Sequence, residues 1–340
     1  MVVKILFLSH KFFPDIGGIE VNSSILANAF HEAGHEIRLM TWSNYDKKND
    51  FPFEVIRKPN FIRLFREHLW ADIIFENNPC LRLSWPLYFF KKKSVIAVRA
   101  FINRRDGKIG WQDKIKLWWL SRASAVIAVS NPIKNKCFSD SIVIGNPYRN
   151  NLFRVLPNID KKKSFVFLGR LVSDKGADLA ISAFSSLIHS GDFQDSMKLT
   201  IIGDGPELDK LKAMATSLHV DRYVDFVGML EGEELVLCLN KHRFMIVPSV
   251  GEAFGNVVLE GMACGCVPIV SDGSGLVDAV GDAGLCFKQK DLDSLINNLI
   301  KLVENPELEN YFRSKATVHL SSHRPEIVCK KYLTVIESIL

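Results

Sequence analysis

Twice along the chain, short apolar runs alternate with segments of helical periodicity, and this pattern leaves room for little besides parallel sheets covered by helices on both faces. In the first series, strands are expected near Lys4–Ser9, Ile37–Thr41, Glu54–Arg57, Asp72–Glu76, Val95–Val98, Ala125–Val129 and Ile142–Ile144. Helices fill the intervals, among them Glu20–Ala33, which Gly34 closes as a C-terminal cap. Residues 145–160 lack periodicity, hold Pro147 and Pro157, and run into Lys161–Lys163, so they read as a connection. The second series places strands at Ser164–Leu168, Lys198–Ile202, Val224–Val227, Phe244–Val247, Val267–Val270 and Leu285–Phe287. The expected domains are 1–150 and 151–324, with 325–340 a terminal helix free to pack back on the first domain.

Length and composition agree with two cores. At 340 residues the chain exceeds what one core usually supports, and 47% apolar with 24% charged residues is ordinary globular usage. The seven cysteines are scattered without a C-x-x-C pair, which argues against a disulfide framework or zinc knuckle and for a reducing cytosol. The first apolar run, ending before His10, is shorter than a signal-peptide core or a membrane span and reads as a buried strand. Residues 1–160 carry 24 Lys and Arg against 14 Asp and Glu, a balance of +10, whereas residues 161–340 carry 19 against 24, a balance of −5. Such asymmetry points the first half toward an anionic partner, a membrane surface or a phosphorylated acceptor, unless the cations merely solvate one face.

Four loops carry candidate chemistry. Pro14-Asp15-Ile16-Gly17-Gly18-Ile19-Glu20 follows the first strand, and paired glycines there let backbone N–H groups approach an anion at a helix start. The spacing is not G-x-G-x-x-G, which disfavours a nicotinamide enzyme. Gly169-Arg170-Leu171-Val172-Ser173-Asp174-Lys175-Gly176 offers a guanidinium fork and a point charge to a diphosphate, or simply two solvated cations. Gly203-Asp204-Gly205-Pro206-Glu207 is a strand-to-helix turn with proline at the first helical position.

The fourth loop, Glu252-Ala253-Phe254-Gly255-Asn256-Val257-Val258-Leu259-Glu260, puts one carboxylate before a helix start near Gly255 and another about a turn inside it. Carboxylates are acceptors suited to sugar and ribose hydroxyls, so two of them flanking a phosphate-sized site fit a nucleotide sugar. The macrodipole would account for Glu252 on its own, and accounts poorly for Glu260.

In this order and spacing the four loops resemble the large family-four retaining glycosyltransferases of GT-B fold, in which two Rossmann-like parallel-sheet domains face each other across a cleft. The likeness spans the chain and is strongest over Phe165–Phe287, where G-R-L with K-G, G-D-G-P, the paired glutamates and M-A-C-G-C-V-P-I-V-S stand in register. It implies a glycosyltransferase of hexosyl type, typical of bacterial surface polysaccharide assembly. Arg170 and Lys175 would hold the donor diphosphate and Gly17 and Gly18 would approach it. Gly203 would sit beside the donor, Glu252 would contact sugar hydroxyls, and Glu260 the ribose. The amides of Phe254, Gly255, Asn256 and Val257 would line sugar and phosphate. No cofactor or metal is expected, the cations serving the leaving group. Partners would be a nucleotide-sugar donor, UDP-linked, and a glycan or lipid-linked acceptor, with no nucleic acid; the location would be cytoplasmic, with peripheral attachment to an anionic membrane.

One position departs from the family. Where a His often follows the fifth strand, this chain has Arg99, which cannot act as a general base and would serve electrostatically, with Arg104 and Arg105 widening a basic rim, or else stand on a surface loop. Trp85–Lys93 and Trp111–Trp119 mix aromatic and basic residues, as a membrane-contacting edge does and as ordinary packing also can. Two other readings stay open: a nucleotide-sugar epimerase of the same fold, and a non-catalytic binding protein derived from a transferase.

Overall fold

The computed structural model describes residues 2–15, 17–45, 51–102, 109–190 and 197–340, and Arg104 and Arg105 lie outside them. The chain forms two compact units, Met1–Pro147 with Pro325–Leu340, and Tyr148–Arg324.

The first unit holds β1 (Lys4–Leu8), β2 (Glu36–Thr41), β3 (Glu54–Arg57), β4 (Ile73–Asn77), β5 (Lys93–Val98), β6 (Ala125–Ala128) and β7 (Ile142–Val143). They pair in parallel in the order β3-β2-β1-β4-β5-β6-β7. The interior strand β1 shows why the sequence reads as an unbroken apolar run. Ile5 and Phe7 enter one core with Phe30, Phe75 and Tyr332, while Leu6 and Leu8 enter another with Met40, Ile74 and Leu83. A strand with period-two side chains between two helical layers has no polar face. The helix Pro325–Ile339 belongs to this unit and buries Val328, Tyr332 and Ile336 in the first of these cores.

The second unit holds β8 (Lys162–Leu168), β9 (Leu199–Ile202), β10 (Val224–Gly228), β11 (His242–Val247), β12 (Val267–Ser271) and β13 (Leu285–Phe287), in the order β10-β9-β8-β11-β12-β13 and parallel throughout. Phe165 of β8 pairs with Phe244 of β11, and both are buried with Phe184 and Phe287. Each sheet is therefore doubly wound, with its order reversing between β1 and β4 and between β8 and β11. Crevices at such reversals, beyond the carboxyl ends of the strands, are where open α/β sheets take ligands.

Candidate active site

In the second unit the strands on either side of the reversal, β8 and β11, end in the loops that hold Arg170, Lys175 and Glu252. Two hydrogen bonds fasten the loops together: Val250 N–H donates to the Asp174 carbonyl at 2.7 Å, and the Ser249 hydroxyl Oγ to the Lys175 carbonyl at 3.5 Å. That fastening delivers Lys175 Nζ to the Glu252 carboxylate in a direct ion pair, both side chains about one-fifth exposed. Arg170 is exposed, and among the described residues its guanidinium has no partner. One cation is thus held by a carboxylate and the other is open to an incoming anion.

The loop after β9 is pressed against the same place. Gly203 lies at φ +141°, and a Cβ there would stand 1.9 Å from the Gly169 carbonyl oxygen. Leu171 N–H donates to the Asp204 carbonyl at 2.9 Å. Glycine at 203 is therefore required by contact between two loops of the protein.

After Glu252 the chain turns sharply at Gly255, whose φ of +104° and ψ of 66° are left-handed, and enters the helix Asn256–Ala263. A Cβ at Gly255 would meet Leu276 Cδ2 at 2.4 Å, so both conformation and space select glycine. The Phe254 side chain is buried, its ring 5.5 Å from that of His323, and it anchors the turn from below. Asn256 and Val257 form the first turn, where a helix leaves N–H groups without intrahelical acceptors and favours negative charge.

Glu260 sits one turn further, its side chain 13% exposed, and accepts from Arg149 Nη2 at 3.3 Å. Burial pushes its carboxyl above the ordinary value, and Arg149 acts against that rise. Arg149 also stacks over Phe153, 4.9 Å from the ring centroid. Sequence reasoning passed over Arg149, which belongs to the aperiodic connection and lies far from its partner along the chain; nothing in local spacing marks it.

The remaining candidates belong to the first unit. Gly17 precedes the helix Gly18–Glu32 with φ 170°, extended backbone open to any residue, and the atoms nearest a Cβ there would be those at the end of the Glu20 side chain. Arg99 differs from expectation on both counts, being neither an open cation nor a surface residue. It is 5% exposed. Its Nε donates to Asn77, its Nη1 to Asn146, and its Nη2 to Tyr332 Oη at 3.0 Å, while its own N–H meets Asn78 Oδ1 at 3.1 Å. The guanidinium ties the end of β4 to the chain leaving the unit and to the returning helix.

Two doubly wound sheets of this order define a GT-B architecture, and a solved structure of Anabaena HepE in complex with UDP and glucose matches it with a TM-score of 0.81, 18% identity, and coverage of 99% of this chain and 100% of that one. The family model of glycosyl transferases group 1 matches residues 149–319, half of the chain, and the protein belongs to that family. It is a glycosyltransferase. An uncharacterized glycosyltransferase of Methanocaldococcus jannaschii is 22% identical over 338 residues, 91% of each chain. The alpha-monoglucosyldiacylglycerol synthase of Streptococcus pneumoniae is 28% identical over 167 residues, 48% of this chain and 36% of that protein.

Proposed function

We propose that the protein transfers a sugar from a nucleoside-diphosphate sugar, UDP-linked, to a glycan or lipid-linked acceptor with retention of anomeric configuration, working in the cytoplasm. The observation that carries this reading is the Lys175–Glu252 ion pair beside the exposed Arg170, at the reversal of the second sheet. As the sugar–phosphate bond breaks, negative charge gathers on the departing diphosphate and positive charge on the ring, so useful protein groups are cations at the first and hydrogen-bond acceptors at the second. Arg170 and Lys175 meet the former. Glu252, repelled by phosphate, turns to the sugar hydroxyls while keeping Lys175 oriented, and the helix start at Gly255 adds dipole stabilisation. Glu260 accepts from the ribose.

In this scheme the two cations do the work a metal would do at the leaving group. No side chain is assigned as a covalent nucleophile, so the acceptor attacks from the face the diphosphate leaves. The UDP assignment draws on the HepE complex, and a lipid acceptor on the diacylglycerol-acting relative.

The test is to offer UDP-glucose, UDP-N-acetylglucosamine and GDP-mannose to the purified chain and record thermal stabilisation, since a ligand of the native state raises the unfolding temperature. The product anomer from the best donor is then assigned by NMR. Stabilisation by no donor would overturn the donor reading, and an inverted product would overturn retention. A new nucleotide sugar formed without acceptor would make the protein an epimerase.

A further inference from the structure

The first unit carries an exposed aromatic surface that the transfer chemistry does not use. On the helix Trp111–Leu120, Trp119 is buried and donates its indole N–H to Glu76 at 2.8 Å, whereas Trp111, Ile115 and Trp118, spaced to share one face, are 70%, 40% and 47% exposed. Arg122 joins this face to the next element. Its guanidinium carbon lies 5.2 Å from the Trp118 ring and 5.4 Å from that of Tyr88. Tyr88 touches Phe89, and Phe89 packs on Phe65, which packs on Phe61. Tyr88, Phe89 and Phe61 are each at least 60% exposed. Contiguous exposed aromatics on this scale mark an interaction surface, since isolated exposed apolar residues are ordinary and connected ones are not.

We infer that this surface seats the first unit on an anionic bilayer, the aromatic rings lying at the headgroup level and the cations on the phosphates. Charge selects this occupant. Residues 85–93 and 111–122 contain one acidic side chain, Asp113, and it is buried, accepting the Gly110 N–H at 2.9 Å. Lys91, Lys114 and Arg122 are exposed around the rings. A second copy of the same face would set these cations against their equivalents, whereas acidic headgroups neutralise them. Tyrosine and tryptophan are the side chains whose half-polar rings favour a membrane–water boundary. Among the described residues no helix is long and apolar enough to cross a membrane, so the surface lies on the bilayer. The inference does not depend on the donor reading.

The full chain is to be floated with vesicles of phosphatidylcholine alone and of phosphatidylcholine with an equal part of phosphatidylglycerol, at ~50 mM and ~500 mM salt, spanning strong and weak screening. Binding to the anionic vesicles that falls about tenfold at the higher salt is expected, with quenching of tryptophan fluorescence by brominated acyl chains. Trp111→Ser with Phe89→Ser should lower the partition coefficient about tenfold or more. No flotation on anionic vesicles at low salt, or binding without quenching, would overturn the inference. So would an aromatic variant that floats like the wild type, or a wild-type dimer that the variant makes monomeric.

Discussion

Arg149 and Glu260 meet across a turn of the second unit, the guanidinium holding down the pKa of a carboxyl that burial pushes up. If ribose recognition needs the carboxylate as acceptor, removing the cation shifts the balance toward the neutral acid. Arg149→Ala should weaken UDP binding by about tenfold, the cost of one charge-assisted contact, and the loss should be greater at acid than at alkaline pH. Calorimetry between pH 6 and 8.5 checks this, and an affinity loss independent of pH would point to packing over Phe153 instead.

The Lys175–Glu252 pair predicts unequal effects of two cation deletions. Arg170→Ala removes one diphosphate contact and should weaken UDP binding about tenfold. Lys175→Ala removes a contact and also leaves Glu252 unneutralised beside the phosphates, so its loss should be larger. Glu252→Gln should lower kcat more than UDP affinity. Calorimetry with free UDP beside steady-state rates measures all three, and a larger loss for Arg170→Ala would put Glu252 away from the phosphates.

Two glycines that look alike in sequence should behave differently. Gly203→Ala forces a methyl into the Gly169 carbonyl and should destabilise the second unit by about 3 kcal/mol, because backbone must move. Gly17→Ala displaces only the end of the Glu20 side chain and should change stability by less than about 0.5 kcal/mol. Urea midpoints decide between them.

Arg99 is expected to act on stability first. Arg99→Ala takes the guanidinium donors from Asn77, Asn146 and Tyr332 inside the core and should cost about 3 kcal/mol. Arg99→Lys should recover only part, since an ammonium lacks the planar fork that reaches three directions. Wild-type urea unfolding of the alanine variant would contradict this.

Glu76 supplies a pH signature. Its carboxyl is buried, accepts from Cys80 N–H and the Trp119 indole at 2.8 Å each, and is pushed from 4.5 to about 7. A carboxyl whose folded pKa is raised favours the fold fully below about pH 4.5 and loses that contribution as pH climbs through 7, a swing of about 3 kcal/mol. Glu76→Gln should therefore lose less stability than wild type between pH 5 and 8. Comparing the two proteins cancels the opposite titration of buried His68, and parallel pH profiles would show that Glu76 stays in one protonation state.

Much of this was legible because it is written in local pattern. Every one of the strands expected from apolar runs is present near its expected bounds, and Asp291, an aspartate placed just before a helix-period segment, caps the helix Leu292–Glu304 by accepting from Ser294 N–H at 3.0 Å. The turn at Gly255 was legible for the same reason: a glycine just ahead of a helix-period segment marks a boundary, and glycine alone takes the left-handed backbone found there without strain. Partnerships across distance were not. Lys175 and Glu252 each carried a recognisable signal, but that they neutralise one another depends on two loops meeting beyond adjacent strands. The sequence offers Arg99 as a rim cation or a surface-loop residue, both exposed, because sequence reports charge and not burial. Only the structure shows that Tyr332, more than two hundred residues later, closes over it.

The helix Pro325–Ile339 gives the chain an order of assembly. The second unit is spliced into the first, so all of its residues are made before Tyr332 exists. Until then Phe30 and Phe75 lack the ring that covers them, and Arg99 lacks one of its acceptors. The inserted unit carries its own complete sheet and can settle while the host unit is still unfinished. On a ribosome the portion synthesised first is therefore the portion completed last.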